Sequence, residues 1–322
     1  MRALICGVSG QDGAYLCRFL HQRGYEVHGS SRDAEAGSFE NLRRVGIYEH
    51  VVKHSMDSND FRSVLQVLTR AAPDEIYSLA GQSSVGLSFE QPVETLESNS
   101  MGTLNLLEAM RILGKPIKLY SAGSGECFGD TNGEAANETT AFHPRSPYAI
   151  AKATAHWLVS NYREAYGLHA STGILFNHES PLRSRRFVTR KIVATACAIA
   201  AGSRERLTLG NLEIHRDWGW APEYVEAMWL MLQQPHGGDF VIATGQQHSL
   251  AEFAAAAFSH LGLNWRDHTD SSPALYRPTD IAFSRGNAGK AAAVLGWRPN
   301  WTMAQVVRAM VDAERSGAAT PS

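Results

Sequence analysis

Tyr148 and Lys152 stand four residues apart in the stretch Pro147–Tyr166, whose spacing predicts one long helix. Both side chains then face the same side. A phenol, with an ordinary pKa of ~10, is a weak base at neutral pH. A nearby ammonium and the positive ring of an oxidised nicotinamide stabilise the phenolate. Such a pair can take the proton of a substrate hydroxyl while the carbon gives up a hydride. Upstream runs Ser121-Ala122-Gly123-Ser124-Gly125-Glu126-Cys127-Phe128-Gly129. Ser124, following a predicted strand, can hydrogen-bond the reacting hydroxyl. Glu126 can share that face and abstract a proton made acidic by a neighbouring ketone, which turns a dehydrogenase into an enzyme able to eliminate water. A loop carboxylate in a salt bridge is the plainer reading of Glu126.

These groups need a scaffold. Apolar runs at 3–6, 26–30, 75–80, 117–121 and 170–175 predict strands, and amphipathic runs at 14–24, 61–72, 99–113 and 147–166 predict helices. That alternation predicts an α/β fold, a Rossmann-type doubly wound parallel sheet covered on both faces. After residue 176 the segments shorten and the loops grow richer in Arg, Pro, Gly and His. The expected division is a dinucleotide-binding domain at 1–176, to which 213–245 returns, and a smaller sugar-nucleotide-binding lobe at 177–322.

Gly7-Val8-Ser9-Gly10-Gln11-Asp12-Gly13 follows the first strand and opens the first helix. Glycines there permit a tight turn and let backbone N–H groups approach a pyrophosphate at a helix N-terminus. Gly7, Gly10, Gln11, Asp12 and Gly13 are therefore cofactor candidates. The second strand ends Ser30-Ser31-Arg32-Asp33, and Arg32 favours the 2′-phosphate of NADP, with NAD left open by Asp33. Asp57 is placed to accept from an adenine amino group.

The bulk properties exclude other classes. With 30 Lys and Arg against 32 Asp and Glu, the net charge is −2, which points away from nucleic acid and anionic membranes. Cys6, Cys17, Cys127 and Cys197 form no CxxC pair and predict idle thiols in a reducing compartment. No signal peptide or membrane span is expected, so the cytoplasm is the expected location. His50 and His54 lack a carboxylate or thiol at ligand spacing, and no metal site is expected. The tail from Ser316 to Ser322 reads as disordered.

The residues as a set resemble the extended short-chain dehydrogenase/reductase family, and within it the GDP-mannose 4,6-dehydratases, over about residues 1–312. The likeness is carried by Gly10-Gln11-Asp12-Gly13, by Pro144-Arg145-Ser146-Pro147-Tyr148 with Lys152, and by Asn161-Tyr162-Arg163-Glu164. It continues through Gly173-Ile174-Leu175-Phe176-Asn177-His178-Glu179-Ser180-Pro181, Phe187-Val188-Thr189-Arg190-Lys191, Arg216-Asp217-Trp218-Gly219 and Arg277-Pro278. The resemblance implies that Tyr148 deprotonates the C4 hydroxyl, Glu126 takes the C5 proton, water leaves from C6, and the hydride lent to NADP returns to C6. It implies further cofactor contacts at Leu79, Ala80, Gln82 and His178. On the substrate side it implies Ser84, Asn177, Lys191, Gly210, Arg216, Arg277 and Asp280, and a homodimer or homotetramer built on the helices at 99–113 and 147–166.

The chain departs from that pattern at four places. Gly123 and Gly125 replace larger residues, which predicts extra room beside C5 and C6 and admits a GDP-manno-heptose alongside GDP-mannose. A single Arg32 stands where the family often has two, Asp280 stands where Glu is usual, and Ser184 replaces a usual Gly. Competing readings are a GDP-4-keto-6-deoxy-sugar 4-reductase, a sugar-nucleotide epimerase, and a non-catalytic dinucleotide sensor that would have no reason to retain Ser124, Glu126, Tyr148 and Lys152 together.

Overall fold

The structure, a computed structural model, describes residues 1–317. The chain builds a seven-stranded sheet in which every neighbouring pair is parallel. Its strands are β1 (Arg2–Cys6), β2 (Glu26–Ser31), β3 (Val51–Ser55), β4 (Glu75–Ser78), β5 (Lys118–Ser124), β6 (Ala170–Leu175) and, far downstream, Asp239–Ile242. The spatial order places β1 between β2 and β4, with β3 at one edge and Asp239–Ile242 at the other. Strands covered on both faces read as near-continuous apolar runs, and Ala3, Leu4, Ile5 and Cys6 are all buried. The chain leaves β1 in one direction through β2 and β3, then resumes on its other side at β4. That reversal opens a crevice at the carboxyl ends of β1 and β4.

Helices α1 (Gln11–Gln22), α2 (Phe61–Ala71), α3 (Gly102–Leu113) and α4 (Pro147–Tyr166) are the long helices of this half. Ser146 caps α4 by accepting from the Ala149 N–H at 3.1 Å, Pro147 starts it, and Gly167, at φ 66, ends it. Two elements differ from expectation. The strand predicted at 117–121 runs on to Ser124, because Leu119 to Ser124 pair in register with Ala170 to Leu175. The helix predicted at 99–113 begins with a π-helical turn, Glu97–Met101, before α3. That turn buries Asn99, whose amide donates to the Gln82 carbonyl at 3.0 Å and the Thr95 carbonyl at 2.9 Å. It thereby ties down the loop that follows β4.

The second half gathers α5 (Val188–Ala200), α6 (Ala221–Leu232), α7 (Leu250–Ser259) and α8 (Met303–Ser316). Helices α5, α7 and α8 enclose a core of Ile192, Val193, Trp218, Phe253, Val306 and Met310. Helix α6 packs instead with α1 against the main sheet, through Tyr224, Val225 and Met228. Short strands Asn177–Glu179 and Trp218–Trp220 pair in parallel and join the two halves at the crevice. Of the tail expected to be disordered, Ser316 ends α8 and Gly317 caps it; 318–322 lie outside the described residues.

All four cysteines are free, and burial pushes Cys6 and Cys127 up to about 12. Among the described residues no helix is long and apolar enough to cross a membrane, and no group of three His, Cys, Asp or Glu could hold a metal ion. His54 pairs with His28 at 2.8 Å and His50 stacks on His21, so the two residues serve separate contacts.

Phe253 is fully buried in the second core. Phe253→Ala is expected to cost about 3–5 kcal/mol, measured by urea denaturation.

Candidate active site

The crevice is a cleft of about 390 Å³. Its floor is the glycine turn. A Cβ on Gly7, at φ 87, would stand 2.8 Å from the Ala80 nitrogen, and one on Gly13 would stand 2.5 Å from the Gly7 carbonyl oxygen. A Cβ on Gly10 would touch only the Gly7 oxygen, at 3.4 Å, so its outer face is open. Gly10 caps α1 with no side-chain hydrogen bond, which leaves the first-turn N–H groups and the positive end of the helix dipole to a ligand. This bare cradle fits the diphosphate of a dinucleotide.

Side chains lock the cradle to the second half. His178 Nε2 lies 2.9 Å from Asp12 Oδ2, and its Nδ1 lies 2.8 Å from the Phe176 carbonyl. Gln11 donates to Asp12 Oδ1 at 2.9 Å and accepts from Ser180 Oγ at 2.7 Å. Burial alone would raise Asp12, but the His178 charge and hydrogen bond, with Arg183 nearby, hold it down at about 2.

Ser124, Glu126, Tyr148 and Lys152 meet on one wall of the cleft. Lys152 Nζ donates to the Ala122 carbonyl at 2.9 Å, which aims the ammonium across the end of β5. It lies 5.9 Å from the centre of the Tyr148 ring. Burial lowers Lys152 to about 8. Burial also drives the Tyr148 phenol upward, opposed by its hydrogen bond with Ser124. In this state the phenol is held neutral, and an added positive charge is what would release its proton. Glu126 faces the same space, with Oε1 at 3.9 Å from Arg216 Nε. Glu126 is thus a cleft carboxylate beside an arginine.

The opposite wall is basic. Arg216 is 4% exposed, and its Nη1 donates to the His215 and Ile281 carbonyls at 2.9 and 2.8 Å. Its Nη2 sits 3.5 Å from Asp280 Oδ1, and neither atom has a hydrogen-bond partner. A ligand hydroxyl or phosphate oxygen would satisfy the guanidinium there. Arg277, Asn177 and Ser84 also line the cleft.

Other expected site residues lie outside the lining. Ala80 closes against Gly7, and the Gln82 amide donates to the Ser84 carbonyl at 2.9 Å and to Thr95 Oγ1 at 3.0 Å. Lys191 is exposed and donates to the Thr208 carbonyl at 2.7 Å. Gly210 packs against the Leu275 carbonyl, and Asp280 acts through Arg216 and Arg277. Asp57 accepts from the Asn59 N–H at 3.0 Å, and Arg32 extends into solvent 4.0 Å from Glu94.

The room expected from Gly123 and Gly125 is also absent. A Cβ on Gly123 would meet Thr172 at 2.8 Å, and one on Gly125 would meet the Phe176 ring at 3.1 Å. Their missing side chains point into β6 and its extension, where Thr172 and Phe176 fill the space. Ser184 needs no glycine, because its backbone is not left-handed and its hydroxyl accepts from the Arg186 N–H at 3.4 Å.

Sequence reasoning missed Arg183, Phe187 and Thr189, which line the cleft. Arg183 and Thr189 both donate to Glu179 Oε2 at 2.8 Å, so a buried carboxylate organises this wall. The run of arginines after Pro181 was the available signal.

The family described as GDP-mannose 4,6 dehydratase matches residues 4–310. GDP-mannose 4,6 dehydratase 1 of Arabidopsis thaliana is 47% identical over 320 residues, covering 96% of this chain and 88% of its own. The Thermus thermophilus UDP-glucose 4-epimerase, solved with NAD, superposes with a TM-score of 0.86 at 30% identity, covering 99% of this chain and 100% of its own. RMD from Pseudomonas aeruginosa, complexed with NADPH, shares the fold at a TM-score of 0.80 and 23% identity, covering 98% of this chain and 99% of its own.

Asp12 supplies a pH test. Its folded value near 2 lies below the ordinary ~3.9, so the stability it contributes is complete above pH ~4 and is lost as pH falls through about 2. In acid titrations followed by circular dichroism, Asp12→Asn is expected to remove roughly 2 kcal/mol at pH 7 and to flatten the loss between pH ~4 and ~2.

Proposed function

The chain belongs to the GDP-mannose 4,6-dehydratase family, and from that premise we propose that it removes water across C5 and C6 of a GDP-linked manno-configured sugar, giving the 4-keto-6-deoxy sugar nucleotide. The observation that carries the reading is the convergence of Ser124, Glu126, Tyr148 and Lys152 on one wall, facing Arg216 and Arg277 on the other. Residues 1–176 with 213–245 would hold the cofactor, and the rest of 177–322 the GDP-sugar.

A nicotinamide dinucleotide in the glycine cradle would accept a hydride from C4 and return it to C6, ending as it began. Ser124 hydrogen-bonds the C4 hydroxyl and holds it against the phenol. Tyr148 takes its proton, with the Lys152 ammonium steadying the phenolate. The C4 ketone acidifies C5–H, and Glu126 removes that proton and passes it to the C6 hydroxyl, which leaves as water; the proton held by Tyr148 returns to C5 as C6 takes the hydride. Arg216 and Arg277 grip the diphosphate, a task suited to planar guanidinium forks. NADP is the favoured cofactor because Arg32, a solvent-exposed cation only 4.0 Å from Glu94, follows Ser30 and Ser31 at the end of β2. Four free thiols fit a reducing cytoplasm. GDP-mannose is favoured over GDP-manno-heptose, because the glycines at 123 and 125 open no space into the cleft.

Purified enzyme with GDP-mannose or GDP-manno-heptose, and catalytic NADP or NAD, is expected to yield a product lighter by one water from the hexose, fastest with NADP and with no net nicotinamide absorbance change. Glu126→Gln should slow that loss by about 10²–10⁴-fold. Cofactor consumed once per turnover of a keto-sugar, with no water lost, would move the chain to the reductases.

A homodimer formed through α3 and α4 accounts for Met101, Ile112, Ile150, Trp157 and Tyr166, large apolar side chains left exposed on or beside these helices. Trp157, at 62% exposure, is the largest of them. In sedimentation, Trp157→Asp is expected to shift the enzyme toward the monomer mass, and an unchanged mass would refute this interface.

A further inference from the structure

Behind the cleft lies a second cavity of about 460 Å³ that the dehydration chemistry does not use. It is lined by Thr244, Gly245, Gly286 and two arginines, Arg285 and the exposed Arg298, with no carboxylate in its lining. Among the described residues neither arginine has an ion-pair partner. Arg285 is only partly exposed, and its Nε is buried without a hydrogen bond. Leaving a partly desolvated cation unpaired is costly, and an anionic ligand removes that cost. Asp217, which bonds the rim residues Thr244, Gly245 and Gly286, commits its carboxylate to them. Its carboxylate accepts from Thr244 N at 2.9 Å, Thr244 Oγ1 at 2.6 Å, Gly245 N at 2.8 Å and Gly286 N at 3.5 Å. These bonds hold the cavity rim in place from behind. Gly286 is forced to be small, since a Cβ would meet Ala243 at 2.4 Å and the Phe176 ring at 2.6 Å. Phe176 also lines the catalytic cleft, so the two cavities stand back to back.

We infer that this second cavity is a binding site for a small phosphate-bearing molecule, with Arg285 as its anchor and Arg298 as a rim contact. Its volume of about 460 Å³ leaves room for a phosphate group. The inference stands whether or not the dehydratase reading holds, because binding alone tests it. Inorganic pyrophosphate is titrated calorimetrically into the full chain, its Arg285→Gln and Arg298→Gln variants, and Arg277→Gln, which weakens the catalytic cleft. Two sites are expected in the unaltered chain. Arg285→Gln should weaken one of them at least tenfold, Arg298→Gln should weaken the same site severalfold, and Arg277→Gln should weaken only the other. Thermal unfolding of each variant reports whether it folds, and Arg298→Gln carries the test if Arg285→Gln does not. A single site that answers to Arg277→Gln and ignores both other variants would overturn the proposal.

Discussion

Everything in the catalytic half depends on one close approach, that of the turn after β1 to the end of β4. Gly7 lies so near Ala80 that no side chain fits between them. The contact sits where the sheet reverses its winding, and it brings the backbone N–H groups of α1 to the same level as the ends of β4 and β5. Gly13 repeats the constraint one turn on, pressed against the Gly7 carbonyl. The cradle shares one cleft with Ser124, Tyr148 and Lys152. A shift of an ångström here would carry through to the reacting atoms, where geometry governs rate.

The second constraint is electrostatic. Burial holds Tyr148 protonated and lowers Lys152 to about 8. Arg216 stands beside Glu126 and beside Asp280, held by two carbonyls through one nitrogen and left with another unbonded. The site thus stores unsatisfied polar capacity, which a close-packed interior tolerates only where a ligand will meet it.

Much of this was legible in the sequence. Short apolar runs and amphipathic runs located the strands and helices of the first half, and spacing in context marked the glycine turn, Tyr148 and Lys152 as candidates. Local spacing could not report which way a glycine's missing side chain points, and so Gly123 and Gly125 were misjudged; their direction is set by pairing with a strand some fifty residues on. The contacts of Lys191 and Gly210 were hidden for a similar reason, since a carbonyl from another segment, Thr208 or Leu275, decides what each touches. Arg183 escaped notice because its importance comes from Glu179, a buried acid whose role only the fold reveals.

The last strand of the main sheet, Asp239–Ile242, has a consequence in time. It pairs with β6 across more than sixty residues of intervening chain, and α6, which immediately precedes it, covers α1 at the other end of the sequence. A growing polypeptide that has completed β6 therefore presents an unpaired strand edge and a bare apolar helix face. The helix face waits for α6, which ends at Leu232, and the strand edge for the chain up to Ile242. The nascent protein passes through an interval in which its sheet is catalytically furnished but structurally open, when long-range contacts are still owed and association with other chains competes with folding.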